Sequence, residues 1–466
     1  MIPFSLEAVA TAVGGRLCDV PDSSVLMTAP AVVDSRTVEP GGLFAALPGE
    51  QADGHAFAVN AVKAGAVAVL ATRPVGVPAV VVDDVLDALA ALARAVLGAV
   101  PEATVIGLTG SAGKTSTKDL IAQVLPELGE TIATAKSFNG EIGMPLTVTH
   151  LSRGVRYIVL EMGARGIGHI THLTRIAPPT VGLVLNVGTA HVGEFGGREQ
   201  IAKAKGELVE ALPADGLAVL NADDPLVAAM ASRTRARVLT FGIENEADVR
   251  AVDVALDTSG RASFTLTATG AKARVDLSLY GEHHVANALA AAAVAIGLGA
   301  GVEKTAAALS RAVLVASGRM EVTDRPDGVR VINDAFNANP DSMKAAFSTL
   351  KSMADGRRTI AVLGEMKELG ADGSDEHRHV GRLAAAAGIH VLIAVGDDDA
   401  RTMADAAQQE NPQLEVVAAR DRDHALTLAS DLIQPGDIVL VKGSHSVELE
   451  HTAERLAHAG TVTHER

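Results

Sequence analysis

The sequence predicts an α/β fold in three parts, and three observations carry the prediction. From Thr104 onward, apolar runs of strand length alternate with helical patterns. A glycine-rich turn at Gly110–Lys114 joins one such run to a helix start. A fresh series of apolar runs begins after Gly318. Continuous apolar runs indicate strands buried on both faces, so parallel sheets covered by helices. The expected units are an N-terminal α/β domain over 1–101, a central phosphate-loop, parallel-sheet domain over 102–317 and a C-terminal Rossmann-like domain over 318–466.

The 466 residues suit about three domains. The first unit has short β-type runs ("VLMTAPAVVDS", "GGLFAAL", "AVAVLAT", "PAVVVDD"), then an alanine-rich helix around 84–99. The central strands are "TVIGLTG", "YIVLEMG", "TVGLVLNVG", "GLAVLNAD" and "RVLTFG". Between 248 and 280 the pattern alternates, which predicts an antiparallel ribbon, and helices follow near 283–297 and 302–314. The third unit's strands are "VRVIND", "RTIAVLG", "HVLIAVG", "LEVVAA" and "DIVLVKG".

Composition narrows the function. Apolar residues make up 48% of the chain and aromatics 2%, so cores must be built from Ala, Val, Leu and Ile. A net charge of −16 argues against nucleic acid and anionic membranes, which require a cationic face. Cys18 is the single cysteine, so no internal disulfide forms, which fits a reducing cytoplasm. The start, "MIPFSLEAVA", lacks a signal peptide's basic and apolar regions, and no apolar run is long enough to span a bilayer.

The chemistry starts at "IGLTGSAGKTSTKDL". Gly110 and Gly113 let the backbone of Thr109, Gly110, Ser111, Ala112 and Gly113 close on phosphate oxygens, and the following helix offers its N-terminus. Lys114 adds a point charge, and Thr115 or Ser116 a hydroxyl for Mg²⁺. Glu161 ends one buried strand and His191 follows another, at the sheet edge where ligands bind in such folds. Lys203 and Lys205 are two apart on a helix and point about 200° away from one another, so only one can face the site. The histidine pairs "HITHLT" and "EHRH" lack the Cys or acidic partners that would complete a zinc set.

This short variant loop resembles that of the Mur ligase family, the ATP-dependent ligases that build the peptide of the peptidoglycan precursor, and further motifs agree along nearly the whole chain. "YGEHHVANAL" is similar to the family's Gly-x-His-Asn-x-x-Asn, with Gly281, His283 and Asn287 in place and His284 where Asn is usual. "ASGRMEV" supplies Arg319, and "NDAFNANPDSM" supplies Asp334, Asn337 and Asn339, with Asn333 in place of a frequent acidic residue. This last run, "AKSFNGEIGMPLTV", "VLGEMKELG" with His377, and "LVKGSHSVELE" resemble the branch of the family that adds D-alanyl-D-alanine. Gly140 stands where that branch has Asn, and His445 where it has Arg, which turns a permanent cation into a titratable one. Near the start, "VVDSRTVEPGGLFAALPGEQADGHAF" resembles a UDP-binding pattern.

The resemblance implies ATP, Mg²⁺, UDP-MurNAc-tripeptide and D-alanyl-D-alanine as cofactors and substrates of a cytoplasmic monomer. It implies catalytic roles for Lys114, Glu161, His191 and Lys205, the lysine 14 places after the histidine, which the family carries as a carbamate. Thr115, Glu161, His191 and Lys205 would hold metal. Asn287, Arg319, Asp334 and Asn337 would join the loop around ATP. Ser35, Arg36, Gly49, Asp53, Gly54, His55, Ser137 and Asn139 would hold the UDP substrate. Glu365, Met366, Leu369, His377, Lys442 and Ser444 would belong to the dipeptide domain. Two rivals stand beside this reading: another ligase of the superfamily, and a regulatory protein that keeps the fold without turnover.

Overall fold

The computed structural model describes residues 1–49, 52–135, 137–188 and 195–459. Its centre is a nine-stranded sheet. From one edge the strands are 271–280, 261–268, 249–256, 237–242, 217–221, 181–184, 104–109, 157–161 and 131–133. All pairings from 249–256 to 131–133 are parallel. The ribbon predicted from alternation is the remainder: 249–256, 261–268 and 271–280 pair antiparallel. The ribbon is not separate, because Phe241 and Gly242 pair in parallel with Val249 and Arg250 and make one continuous sheet.

The strands are apolar because both faces are covered. Val105–Thr109 and Tyr157–Glu161 are buried throughout. On one face lies the helix His283–Gly297, whose Ala288–Ala295 stretch is wholly buried. A helix apolar on every side must be enclosed. Alanine lets it sit close to both the sheet and the helix Lys114–Val124, which is how a chain with few aromatics fills this layer.

The N-terminal unit has a five-stranded sheet in the order 16–18, 79–81, 68–71, 43–45, 31–32, antiparallel only at its first pair. Its core is continuous with that of the central unit, and Ala31 N donates to Thr149 Oγ1 at 3.1 Å between them. The C-terminal unit has six strands in the order 321–324, 330–333, 438–442, 359–364, 391–395, 415–419, with only the first pair antiparallel. The α/β class and the three-part layout are as the sequence predicts.

Among the short elements not predicted are one helix and two strands near the unit boundaries. The helix Leu6–Val13 carries its stop and start signals, Ser5 Oγ accepting from Ala8 N at 3.1 Å and Gly14 at φ 64°. At 8 residues it is too short for its period to stand out. The strands Arg16–Cys18 and Glu321–Asp324 are three- and four-residue edge strands that are mostly half-buried or exposed, so neither shows an apolar run.

Candidate active site

The carboxyl ends of the parallel strands open onto a cleft of roughly 1140 Å³ between the central and C-terminal units. Among the described residues, six Lys and Arg side chains and five carboxylates line it. The whole chain has 40 against 56, so the cleft is where this acidic protein gathers cations for an anionic ligand.

The phosphate loop forms the floor. Gly113 sits at φ 79°, and a Cβ there would lie 2.4 Å from Asn287 Oδ1, so both conformation and space demand glycine. Lys114 Nζ donates to Gly110 O at 2.9 Å. Burial pushes the Lys114 amine below its ordinary range, Glu161 opposes this, and Arg319 adds to it. Thr109 Oγ1 and Ser111 Oγ are buried without a hydrogen-bond partner among the described residues.

The loop's shape depends on a residue that sequence reasoning missed. Asn186 Oδ1 accepts from Ser111 N and Ala112 N, both at 2.9 Å, and Asn186 Nδ2 donates to Ala112 O at 3.1 Å. These two amides are therefore committed to Asn186. That departs from the expectation that the whole loop backbone faces phosphate, and leaves the first turn of the helix Lys114–Val124 as the free donor end. The signal was available: Asn186 follows the strand Val181–Val184 at the sheet edge where ligands bind.

Beside the loop, Thr115 Oγ1 donates to Glu161 Oε2 at 2.8 Å and lies 3.1 Å from Ser137 Oγ, while Asn139 Nδ2 donates to Glu161 Oε1 at 2.8 Å. Glu161 is 1% exposed. Lys205 is buried and lines the same cleft, whereas Lys203 is exposed, which resolves the pair on the helix Arg198–Glu210. Burial, and then repulsion from Lys114, hold the Lys205 amine well below its ordinary range. His191 lies outside the described residues. Among the described residues no group of three or more His, Cys, Asp or Glu is placed to hold a metal.

Arg319 crosses from the C-terminal wall. It is largely desolvated, which lowers its pKa, its Nη2 donates to Ser137 Oγ at 3.2 Å, and its guanidinium lies 4.3 Å from the Phe336 ring centroid. Asp334 Oδ2 accepts from Lys442 Nζ at 2.7 Å, and Lys442, 2% exposed, also donates to Asn337 O. Asn339 caps the helix Pro340–Ala354 through a capping box with Ser342. Asn287 accepts from Thr117 Oγ1 at 3.2 Å and braces the phosphate loop from behind. His284, 1% exposed, packs its ring 4.3 Å from that of His283, and burial holds both imidazoles low. His283 Nδ1 is buried without a partner among the described residues, and His283 lines the cleft.

Several predicted site residues are not brought to this cleft. Glu365 accepts from Asp397 N at 2.8 Å and pairs with Lys367. His377, fully buried, accepts from Met366 N at 2.9 Å and contacts Gly373 O at 2.7 Å. Met366 is a core residue. All three brace the 364–370 loop, and that loop presents Lys367, Glu368 and Leu369 instead. Ser444 Oγ accepts from Lys367 N at 2.8 Å and lines the cleft.

Ser35, Arg36, Gly49, Asp53, Gly54 and His55 lie on the N-terminal unit, away from the cleft lining. Arg36 pairs with Asp34 at 2.7 Å and is 87% exposed at its side chain. Asp53 accepts from Arg73 and His55, and His55 Nε2 accepts from Thr72 N at 3.0 Å. A Cβ on Gly54 would lie 2.5 Å from Leu47 O. The bond from Arg73, then those from His55, hold the Asp53 carboxyl far below the usual carboxylate range. A depressed folded pKa adds stability above the unfolded value of about 3.9 that is lost as pH falls through the folded one. Asp53→Asn is expected to unfold earlier than the parent in denaturant at neutral pH, with the two curves converging in strong acid. Curves equally far apart at both pH values would remove this role.

Comparison with known proteins follows the same geometry. The Mur ligase middle domain matches residues 108–295, the Mur ligase glutamate ligase domain 318–445, and the Mur ligase family catalytic domain 32–97. UDP-N-acetylmuramoyl-tripeptide–D-alanyl-D-alanine ligase of Mycobacterium tuberculosis is 46% identical, with 98% of each chain covered. The protein of that name from Escherichia coli is 36% identical over 92% of this chain and 93% of its own. The crystal structure of MurF from Acinetobacter baumannii superposes with a TM-score of 0.87 at 31% identity, covering 98% of this chain and 99% of that one. MurF from Thermotoga maritima in complex with ADP gives 0.79 at 30% identity, covering 92% and 97%. Because these matches run from the N-terminal unit to the C-terminal wall of the cleft, the chain belongs to the Mur ligase family.

Proposed function

We propose that this chain joins D-alanyl-D-alanine to UDP-MurNAc-tripeptide with ATP, through an acyl phosphate, in peptidoglycan precursor synthesis. The observation that carries the reading is the meeting of Lys114, Lys205 and Glu161 from the central unit with Arg319 from the C-terminal wall in one cleft. It is supported by relatives that carry this activity in their names and align over nearly the whole length. We place the domain limits at 101/102 and 317/318, and the protein in the cytoplasm as a monomer. No helix of the described residues is long and apolar enough to cross a membrane.

ATP lies with its phosphates at the first turn of the helix Lys114–Val124, where free amides and the helix dipole favour anions. Ser111 Oγ, which lines the cleft and has no hydrogen-bond partner among the described residues, supplies a further donor. The His283 Nδ1 atom, on a residue that lines the cleft, is a polar contact for the base. The tripeptide's terminal carboxylate attacks the γ-phosphorus and ADP leaves. The dipeptide amine then attacks the acyl carbon, its N–H proton is released, and inorganic phosphate departs as the amide forms. Two anions meet in the first step, so Lys114 and Arg319 lower their repulsion.

The oxygen donors around Thr115 suit a hard divalent cation, with Glu161 Oε2 at 2.8 Å and Ser137 Oγ at 3.1 Å. Thr115 and Glu161 would hold Mg²⁺, together with His191 and Lys205 as its carbamate. Bound there, Mg²⁺ would supply charge neutralisation at the transferring phosphoryl group. The lowered Lys205 pKa supports this, since only a neutral amine adds CO₂. The UDP end lies against Ser35, Arg36 and the 49–55 turn, with Ser137 and Asn139 toward the reacting peptide.

The test is ADP release that requires both UDP-MurNAc-tripeptide and D-alanyl-D-alanine, run with an ¹⁸O-labelled peptide carboxylate. One label is expected in the inorganic phosphate per amide formed. ADP release indifferent to the dipeptide, or unlabelled phosphate, would refute the reading.

A further inference from the structure

We propose that His445 receives the carboxylate of the incoming dipeptide, a proposal that rests on the ligase reading above. The amine of that dipeptide must reach an acyl carbon beside the phosphate loop, so its opposite, anionic end falls on the C-terminal wall. Among the described residues, that wall carries four basic side chains in the cleft: Arg319, Lys367, Lys442 and His445.

Three of the four are committed. Lys442 is buried against Asp334 at 2.7 Å. Lys367 is tied to Glu365. Arg319 is desolvated and directed to Ser137. His445 differs, with a side chain 71% exposed. Its ring stacks on Phe336 with centroids 5.5 Å apart and planes at 28°, so the imidazole is oriented rather than loose. Nδ1 lies 3.4 Å from Glu450 Oε2, and Nε2 makes no hydrogen bond among the described residues. Ser446, next in the chain and also lining the cleft, adds a hydroxyl.

The charges around the ring are few and mostly paired. Glu450 comes from the helix Leu449–His458, and Arg319 lies beyond Phe336. Asp334 with Lys442 lies under the Phe336 turn, and Lys367 with Glu365 on the loop that binds Ser444. Glu448 pairs with Arg422. His445 Nε2 is thus the basic-side-chain atom on this wall left open to an incoming carboxylate among the described residues.

The experiment measures KM for D-alanyl-D-alanine and for D-alanyl-D-alaninamide, which lacks the carboxylate, in the full chain, in His445→Arg and in His445→Gln, with ATP and UDP-MurNAc-tripeptide saturating. His445→Gln is expected to raise KM for the dipeptide about tenfold, as for loss of one hydrogen bond to a charged group, with kcat less affected, while His445→Arg keeps it near that of the parent. The parent and His445→Arg should discriminate against the amide, and His445→Gln should not. An unchanged KM, or unchanged discrimination in His445→Gln, overturns the proposal while the ligase reading stands. Absence of any dipeptide-dependent ADP release from the parent overturns both.

Discussion

Lys205→Ala is expected to lower kcat about 10²–10³-fold and to recover part of it with millimolar acetate or formate. Truncation removes the amine that would carry the carbamate and leaves a space beside Lys114 in which a small carboxylate can stand for it. A lysine acting as a cation would be rescued by alkylamines instead, so the chemistry of the rescuing molecule separates the two roles. Loss without rescue by any carboxylate, or loss rescued by amines, would end the carbamate assignment. A second variant tests the physical cause. Lys205→Met fills similar volume without a charge, and replacing a buried charge by a hydrophobe is often worth about 1–4 kcal/mol. The sign follows from the lowered folded pKa. Below the unfolded value of about 10.4 the folded chain must bury or shed a proton, a cost that vanishes once pH exceeds that value. The inactive Lys205→Met chain should therefore be more stable than its parent at neutral pH, with the advantage gone in strong alkali. Equal stability at neutral pH would mean that the amine is better solvated than its surroundings imply.

The sheet core was readable because burial on both faces leaves an unmistakable record. The run "YIVLEMG" and the strand Tyr157–Glu161 coincide, as do the alanine-rich pattern around 84–99 and the helix Val85–Gly98, and the helix expected near 283–297 and the helix His283–Gly297. What went unread was short or edge-placed: the helix Leu6–Val13 and the strands Arg16–Cys18 and Glu321–Asp324 bury too little to impose a period.

The site was legible unevenly for a related reason. Lys114, Thr115 and Glu161 are local to a loop or a strand end, and the structure brings them together. Helix spacing alone says that only one of Lys203 and Lys205 can face the site; the resemblance selects Lys205 by its distance from His191, and burial agrees, with Lys205 buried and Lys203 exposed. His377 and Glu365 sit in a chemically suggestive motif, yet their hydrogen bonds go to Met366 N and Asp397 N. A motif shows that residues travel together; it does not distinguish a ligand contact from the brace beneath it.

Asn186 is the sharpest case of a brace that sequence alone passes over, and its replacement is expected to weaken ATP use strongly. Its own backbone is fixed on both sides, with Asn221 Nδ2 donating to Leu185 O at 2.9 Å and Val187 N donating to Asp224 Oδ2 at 2.7 Å. From that position its amide spans Ser111 and Ala112. Asn186→Ala removes the side-chain acceptor of both loop amides; Ser111 N keeps the Asn186 carbonyl at 3.1 Å, whereas Ala112 N is left without one, at about 1–3 kcal/mol where water cannot replace it. Ala112 O loses its donor as well, and water offsets part of the loss because Asn186 is only half-buried, so about a 10–10²-fold fall in kcat/KM for ATP is expected. Asn186→Asp separates shape from charge. It keeps an acceptor for both amides, so the loop should hold its form and thermal stability should stay near that of the parent. It loses the donor to Ala112 O and places a carboxylate beside the phosphate site, so KM for ATP should still rise, and added salt should relieve part of the rise. If the carboxylate variant binds ATP as well as the parent while the alanine variant does not, loop shape alone matters at this position. If both behave as the parent, Asn186 does not hold the loop, and the geometry of the phosphate site must come from Gly110 and Gly113 alone.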